Sequence, residues 1–238
     1  MFERPHHRRI LRVLQALDAN RLREAACWFG GGTAIALRYG EYRESVDIDF
    51  LVSSRDGYRA LRQLLWGARD LAPLFRAGES PDTRGEVRAD QYGIRATLDI
   101  DGVPIKFEIV LEGRIQFEKP GRKDEIAGVA TLSETDLAAS KLLANSDRWA
   151  DDSVFSRDAI DLAMMGLPPR LLRPAAAKAE GAYGAAVIHD LRSALDALRD
   201  RPAHLRRCLQ ALAMDIPPAI LLQRLRHLRR RLDAAASP

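Results

Sequence analysis

The chain has 238 residues, 47% hydrophobic and 29% charged, with a net charge of +4, which is enough for one large domain or two modest ones, each with its own core. No apolar run approaches the roughly 20 residues a membrane-spanning helix needs, and the start, Met1 to Arg9, lacks the apolar centre of a secretory signal. The expectation is a cytoplasmic protein with no membrane partner. Cys27 and Cys208 are far apart and in no paired motif, which argues against a zinc site and fits a reducing compartment.

In chain order, Ile10, Leu11, Leu14, Leu17 and Leu22 recur at helical spacing and predict one amphipathic helix from about 10 to 25. Cys27-Trp28-Phe29 leads into three glycines, Gly30 to Gly32, and Thr33 to Gly40 reads as a short helix with a glycine stop. Asp47-Ile48-Asp49-Phe50-Leu51-Val52 follows as a strand. Side chains alternate along a strand, so Asp47 and Asp49 share one face while Ile48, Phe50 and Val52 share the other. A second helix is expected over 56 to 71, then a loop rich in Pro, Gly and charge over 72 to 90. Strands 93 to 100 and 103 to 111 flank Asp101-Gly102, a tight-turn dipeptide. In the second of these, Lys106, Glu108 and Val110 lie on one face, opposite Ile105, Phe107 and Ile109.

Ser133-Glu134-Thr135-Asp136 resembles a capping box opening a helix to about 148. Leu137, Lys141, Ala144 and Arg148 fall along one side of it. A further helix is expected over 154 to 165, with Arg157, Asp158 and Asp161. Beyond Gly166 only helical periodicity is visible, broken by Pro174, Pro202 and Pro217-Pro218. In the last helix Ile220, Leu221, Leu225, Leu228 and Leu232 form an apolar stripe, with Arg224, Arg226, Arg229, Arg230 and Arg231 largely outside it. From Arg170 onward there are 13 Lys or Arg against 6 Asp or Glu, while the preceding 169 residues hold 24 against 27. A basic tail of this kind attracts nucleic acid or an acidic partner protein, and equally describes a solvated helix face.

Carboxylates in a strand that otherwise reads as core are costly unless something positive binds them. If the 103 to 111 strand lies beside the DIDFLV strand with matching faces, Glu108 joins Asp47 and Asp49. Three carboxylates can hold two Mg²⁺ ions with bridging phosphate oxygens, the arrangement that suits phosphoryl or nucleotidyl transfer. Glu108 would bind only the ion on the acceptor side. Gly31 and Gly32 let the backbone approach a phosphate, with Thr33 at a helix N-terminus. Arg43 and Ser45, from the loop before the strand, and Lys141 and Arg148, from the helical half, are candidate contacts to a triphosphate.

The runs Gly31 to Arg38, Arg43 to Leu51, Ile105 to Ile109, Asp136 to Lys141 and Arg157 to Leu162 resemble, in order, the motifs of the AbiEii/AbiGii-type nucleotidyltransferase toxins, a branch of the polymerase-beta-like superfamily. The resemblance covers roughly 28 to 165. It implies an α+β fold with a nucleotidyltransferase-like mixed sheet, flanking helices and an all-helical C-terminal domain. The domains would be a core over 1–130 and a helical domain over 131–238 that contributes Lys141 and Asp158 to the site. It also implies Mg²⁺ dependence and NTP as donor, with Asp47 and Asp49 as metal ligands, Lys141 as a phosphate contact and Asp158 as a further essential acid, Asp161 being the other candidate. Members are toxins of two-gene or phage-defence systems, some adding nucleotides to tRNA, so RNA is the leading acceptor and an antitoxin a possible partner. Two other readings stay open: a small-molecule nucleotidyltransferase acting on an aminoglycoside-like acceptor, and a non-catalytic nucleotide- or RNA-binding module.

Overall fold

A computed structural model describes residues 2–68 and 70–236. Contacts within the chain divide it into two units: one holds the chain through Arg38 together with Ser45–Ser133, the other Tyr39–Glu44 together with the chain from Glu134. Among the described residues no helix is long and apolar enough to cross a membrane.

The first unit opens with α1 (Pro5–Ala16) and α2 (Ala19–Glu24). The single helix expected over 10 to 25 is broken: Leu17 turns extended, and the Asp18 side chain accepts the backbone N–H of Arg21 to start α2 afresh. The elements that follow are β1 (Cys27–Gly30), α3 (Gly31–Arg38), β2 (Ile48–Val52), α4 (Arg55–Leu64), β3 (Asp82–Ala89), β4 (Gly93–Ile100) and β5 (Val103–Leu111). A short hairpin, β6 (Glu125–Ile126) with β7 (Val129–Ala130), completes the unit.

The five strands form one mixed sheet in the order β1-β2-β5-β4-β3. Only β2 and β5 run parallel. Asp101 and Gly102 both have positive φ, 54° and 76°, as the two-residue turn between β4 and β5 requires. Asp82–Ala89 was expected to be loop and is instead the edge strand β3. Six of its eight residues are exposed and four are charged, Gly85 sits at φ 75°, and the register shifts between Arg84 and Arg88, so it carries none of the apolar alternation that marks a strand.

One sheet face is the core. Phe29, Phe50, Ile109 and Ile94 lie in one row across four strands and are fully buried. The rings of Phe29 and Phe107 flank that of Phe50 at 5.5 and 5.6 Å. Covering about 100 Å² or more of each ring contributes of order 2–3 kcal/mol per side chain.

The second unit comprises α5 (Glu134–Arg148), α6 (Arg157–Met165), α7 (Pro169–Tyr183), α8 (Ala186–Asp200), α9 (Pro202–Ala211) and α10 (Pro218–Ala236). Helix α5 packs on α6, α7 and α8, and α10 on α6, α7 and α8. Pro174 does not interrupt α7, whereas Pro202 and Pro218 stand at the first positions of α9 and α10, where a missing N–H costs nothing. Leu221, Leu225, Leu228 and Leu232 are buried, but Ile220, expected in the same stripe, is 43% exposed. Nor do all the arginines point outward: Arg231 donates to the carbonyls of Gly166 and Leu167 at the end of α6, and Arg229 pairs with Asp196. The segment Tyr39–Glu44, which a boundary near 130 leaves with the sheet, belongs to this helical unit. Glu44 donates its backbone N–H to Leu212, and Tyr39 its hydroxyl to Glu134.

Candidate active site

In the first unit a polar row crosses the sheet. Gly30 faces Asp49, Asp49 lies beside Glu108, and Glu108 faces Arg95. Residues paired in register project to the same side, so the two carboxylates and the guanidinium share the face opposite the phenylalanines. Asp47 lies one residue before β2 begins, and its charge, like that of Asp49, reaches Lys106.

The turn from β1 to α3 is shaped around Asp49. Gly31 has φ +67°, and a Cβ placed on it would lie 2.3 Å from Asp49 Oδ2 and 2.8 Å from Asp49 Cβ. Only glycine satisfies both the backbone and the space. Gly32, also at the start of α3, is partly exposed. Thr33 is fully buried and does not present its hydroxyl to solvent: Oγ1 donates to the carbonyl of Asp47 at 2.5 Å and shares a hydrogen bond with Ser45 Oγ at 2.8 Å. The expected phosphate contacts Thr33 and Ser45 are therefore bonded to each other, and together they fix the chain just before the two aspartates. Ser45 also donates its backbone N–H to Nε2 of buried His7, and His6 Nε2 lies 2.9 Å from the carbonyl of Val46. Helix α1 thus anchors the carboxylate strand through two histidines.

Glu108 is not free to join the aspartates. Its Oε1 accepts from Arg95 Nε at 3.1 Å and its Oε2 pairs with Lys106 Nζ at 2.8 Å. Burial lowers the Lys106 ammonium, but Glu108, with Asp47 and Asp49 behind it, leaves it raised. Among the described residues no three His, Cys, Asp or Glu side chains are gathered as a metal-binding group. Of the three carboxylates expected to converge, Asp49 and Glu108 lie side by side on one face, Asp47 stands just before the strand, and Glu108 is held by cations.

The second unit contains a buried ionic network. Asp161, with no exposed surface, accepts Tyr42 Oη at 2.5 Å and Arg43 Nε at 2.7 Å, and pairs with Lys141 Nζ at 2.7 Å. Asp158 pairs with the same Lys141 Nζ at 2.8 Å and with Arg148 Nε at 2.7 Å. Lys141 therefore bridges both acids. Burial alone would push the Asp158 carboxyl up, but Lys141 and Arg148 hold it well below the ordinary carboxylate range. Asp161 is likewise lowered, against its burial, by Arg43 and Lys141. Burial and the neighbouring Asp161 push the Tyr42 phenol well up. Three cations thus oppose two carboxylates, and Arg148, with 34% of its side chain exposed, is the one open to solvent. Lys141 and Arg43, expected to reach a triphosphate, are buried and committed to aspartates.

A mixed sheet with carboxylates across its parallel pair and a glycine turn packed against one of them is the frame of a nucleotidyltransferase. The family model described as the nucleotidyl transferase AbiEii toxin, type IV toxin–antitoxin system, matches residues 12–236. The chain belongs to that family and is a nucleotidyltransferase. Two solved structures from Helicobacter pylori share the fold: a protein provisionally assigned as a nucleotidyltransferase, at 14% identity and TM-score 0.51 over 97% of this chain and 92% of that one, and JHP933, at 15% identity and TM-score 0.51 over 97% and 90%. No curated protein sequence matches the chain.

Sequence reasoning passed over His7, Tyr42 and Arg95. A buried histidine beside a second histidine carried no ligand spacing, and Tyr42 declares itself only once Asp161 is in place. Lys106 did leave a signal, as a charge centred in an apolar strand.

Proposed function

We propose that the protein is the toxin of a toxin–antitoxin pair that transfers a nucleoside monophosphate from NTP to a hydroxyl of RNA, with tRNA the leading acceptor. The observation that carries this reading is Asp49 beside Glu108 across the parallel pair, with Asp47 one residue before that strand. Catalysis is assigned to the sheet-bearing core and an accessory role to the helical domain.

The donor chemistry fits a hard divalent cation: Asp47 and Asp49 stand two positions apart and offer carboxylate oxygens alone. Mg²⁺ bound by Asp47 and Asp49 would supply positive charge at the triphosphate and the attacking oxygen. The remaining roles fall to the chain. Backbone N–H groups at Gly31 and Gly32 face the phosphates, as helix N-termini do. Thr33, Ser45 and His7 hold the aspartates at fixed positions, which preserves in-line geometry. Glu108 takes the proton of the acceptor hydroxyl, whose oxygen bonds to the α-phosphorus as the bond to the bridging oxygen of the β-phosphate breaks and pyrophosphate leaves. Arg148 is the cation of the ionic network that meets an anionic ligand, while Lys141, Arg43, Asp158 and Asp161 orient it.

Incubation with each labelled NTP, Mg²⁺ and total tRNA tests this. Label enters RNA with the native protein and is absent with Asp47→Ala. Label in a small acceptor instead would favour the aminoglycoside-like alternative.

A further inference from the structure

The polar sheet face does not end at Asp49 and Glu108. Leu51 and Val110, two positions further along β2 and β5, are partly exposed on the same side. Beyond them a trough of about 1120 Å³ opens, lined by Ser53, Arg55, Tyr92, Arg95, Val110 and Arg114 among others. Arg95 joins the two regions, because the side chain that holds Glu108 also forms part of the trough wall. From Asp49 to Ser53 the strand covers about 13 Å, so the trough lies within a short stretch of polymer from the carboxylates.

Its chemistry is aromatic at Tyr92 and cationic at Arg55, since Arg95 pairs with Glu108 and Asp90, and Arg114 with Glu112 of the same lining. Arg55 is exposed and has no ion-pair partner among the described residues; it stands at the N-terminus of α4, where the helix dipole adds positive potential. Arg114 is held in place by Glu112, through Nε at 2.9 Å and Nη2 at 2.7 Å. Tyr92 is 65% exposed, yet its backbone N–H is fixed by Asp90 Oδ1 at 2.7 Å. An apolar ring held out to water among guanidinium groups suits a base stacked on its face and phosphates alongside. Arg55 would repel a cationic small acceptor.

We infer that this trough binds the single-stranded 3′ end of the RNA acceptor, with Tyr92 stacking a base, Arg55 meeting a phosphate, and the terminal hydroxyl directed toward Glu108. The inference rests on the nucleotidyl-transfer reading above and names where its polymer substrate lies.

Fluorescence anisotropy of a short, unpaired, labelled oligoribonucleotide with the full chain, in the absence of NTP, reads the site directly. Tyr92→Ala is expected to weaken binding about tenfold, and Tyr92→Phe to restore it, as a stacking contact requires. Arg55→Ala should reduce the slope of log K against log salt by about 0.7, the loss of one phosphate contact on a single strand. Both side chains are exposed, so folding and NTP binding stay as in the native protein. No binding by the native chain, or native affinity and salt slope in both variants, overturns the inference. If the variants keep the native KM for RNA while Asp47→Ala abolishes labelling, the trough assignment fails and the transfer reaction stands; if Asp47→Ala still labels RNA, the reaction itself is wrong.

Discussion

Gly31 and Asp49 compete for one volume: the site of a Cβ on Gly31 is 2.3 Å from Asp49 Oδ2. The glycine turn and the carboxylate strand are thus a single device, in which the missing side chain of one residue sets the position of the other.

Gly31→Ala is therefore expected to act on chemistry more than on stability. The left-handed φ of +67° costs an alanine about 1–2 kcal/mol, whereas displacing Asp49 by an ångström lowers transfer about 100-fold. Steady-state NMP transfer alongside a denaturation curve checks both. A variant that keeps native kcat would show that the placement of Asp49 is immaterial.

Asp161→Asn should be a stability mutation. The carboxylate lies fully buried between Arg43 and Lys141, and removing one partner of such a set costs about 3–5 kcal/mol. Urea denaturation measures it, with Asp56→Asn as the control, since the Arg59–Asp56 pair is exposed and should leave the midpoint unchanged. Equal midpoints for the two variants would remove the network from the folding argument.

The same network fixes the pH profile of stability. Unfolded, Asp158 and Asp161 take up protons around their ordinary 3.8, while in the fold the cations keep them ionised at lower pH. Their contribution is complete above that value and is lost as pH falls through the lowered folded range. Lys141 and Tyr42 shift the other way, upward from 10.5 and 10.0, so their contribution is complete below about 10 and is lost as pH rises beyond it. This network's contribution to the urea midpoint should be flat between about pH 5 and pH 9 and fall on both sides. A midpoint that climbs toward acid would contradict the assignment.

The strand of the aspartates was legible because Ile48, Phe50 and Val52 alternate with acids over a short window, and the β4–β5 hairpin because Asp101-Gly102 admits few other conformations. Strand β3 was not: an exposed edge strand is specified by its neighbour's hydrogen bonds rather than by apolar period, and Arg84, Glu86 and Arg88 read as loop. The break at Leu17–Asp18 was hidden because Leu17 and Leu22 keep helical spacing across it. In the site, the strand-pairing argument put Glu108 beside Asp49, while Asp47 falls one residue before the strand, where alternation no longer fixes a face. The partners of the cations were out of reach, since Arg43 and Asp161 are 118 positions apart and nothing local marks a long-range ion pair. For that reason Arg43 and Lys141 read as ligands for a phosphate when their charges are spent on buried aspartates.

The most direct test of the central claim, that Asp47 and Asp49 hold a divalent cation for an NTP, is a titration of Mn²⁺, as a paramagnetic substitute for Mg²⁺, into the protein with a non-hydrolysable NTP analogue. Native protein should bind Mn²⁺ in an NTP-dependent manner, and Asp49→Asn, with an unchanged urea midpoint, should not. Equal Mn²⁺ binding by the two proteins would contradict the account.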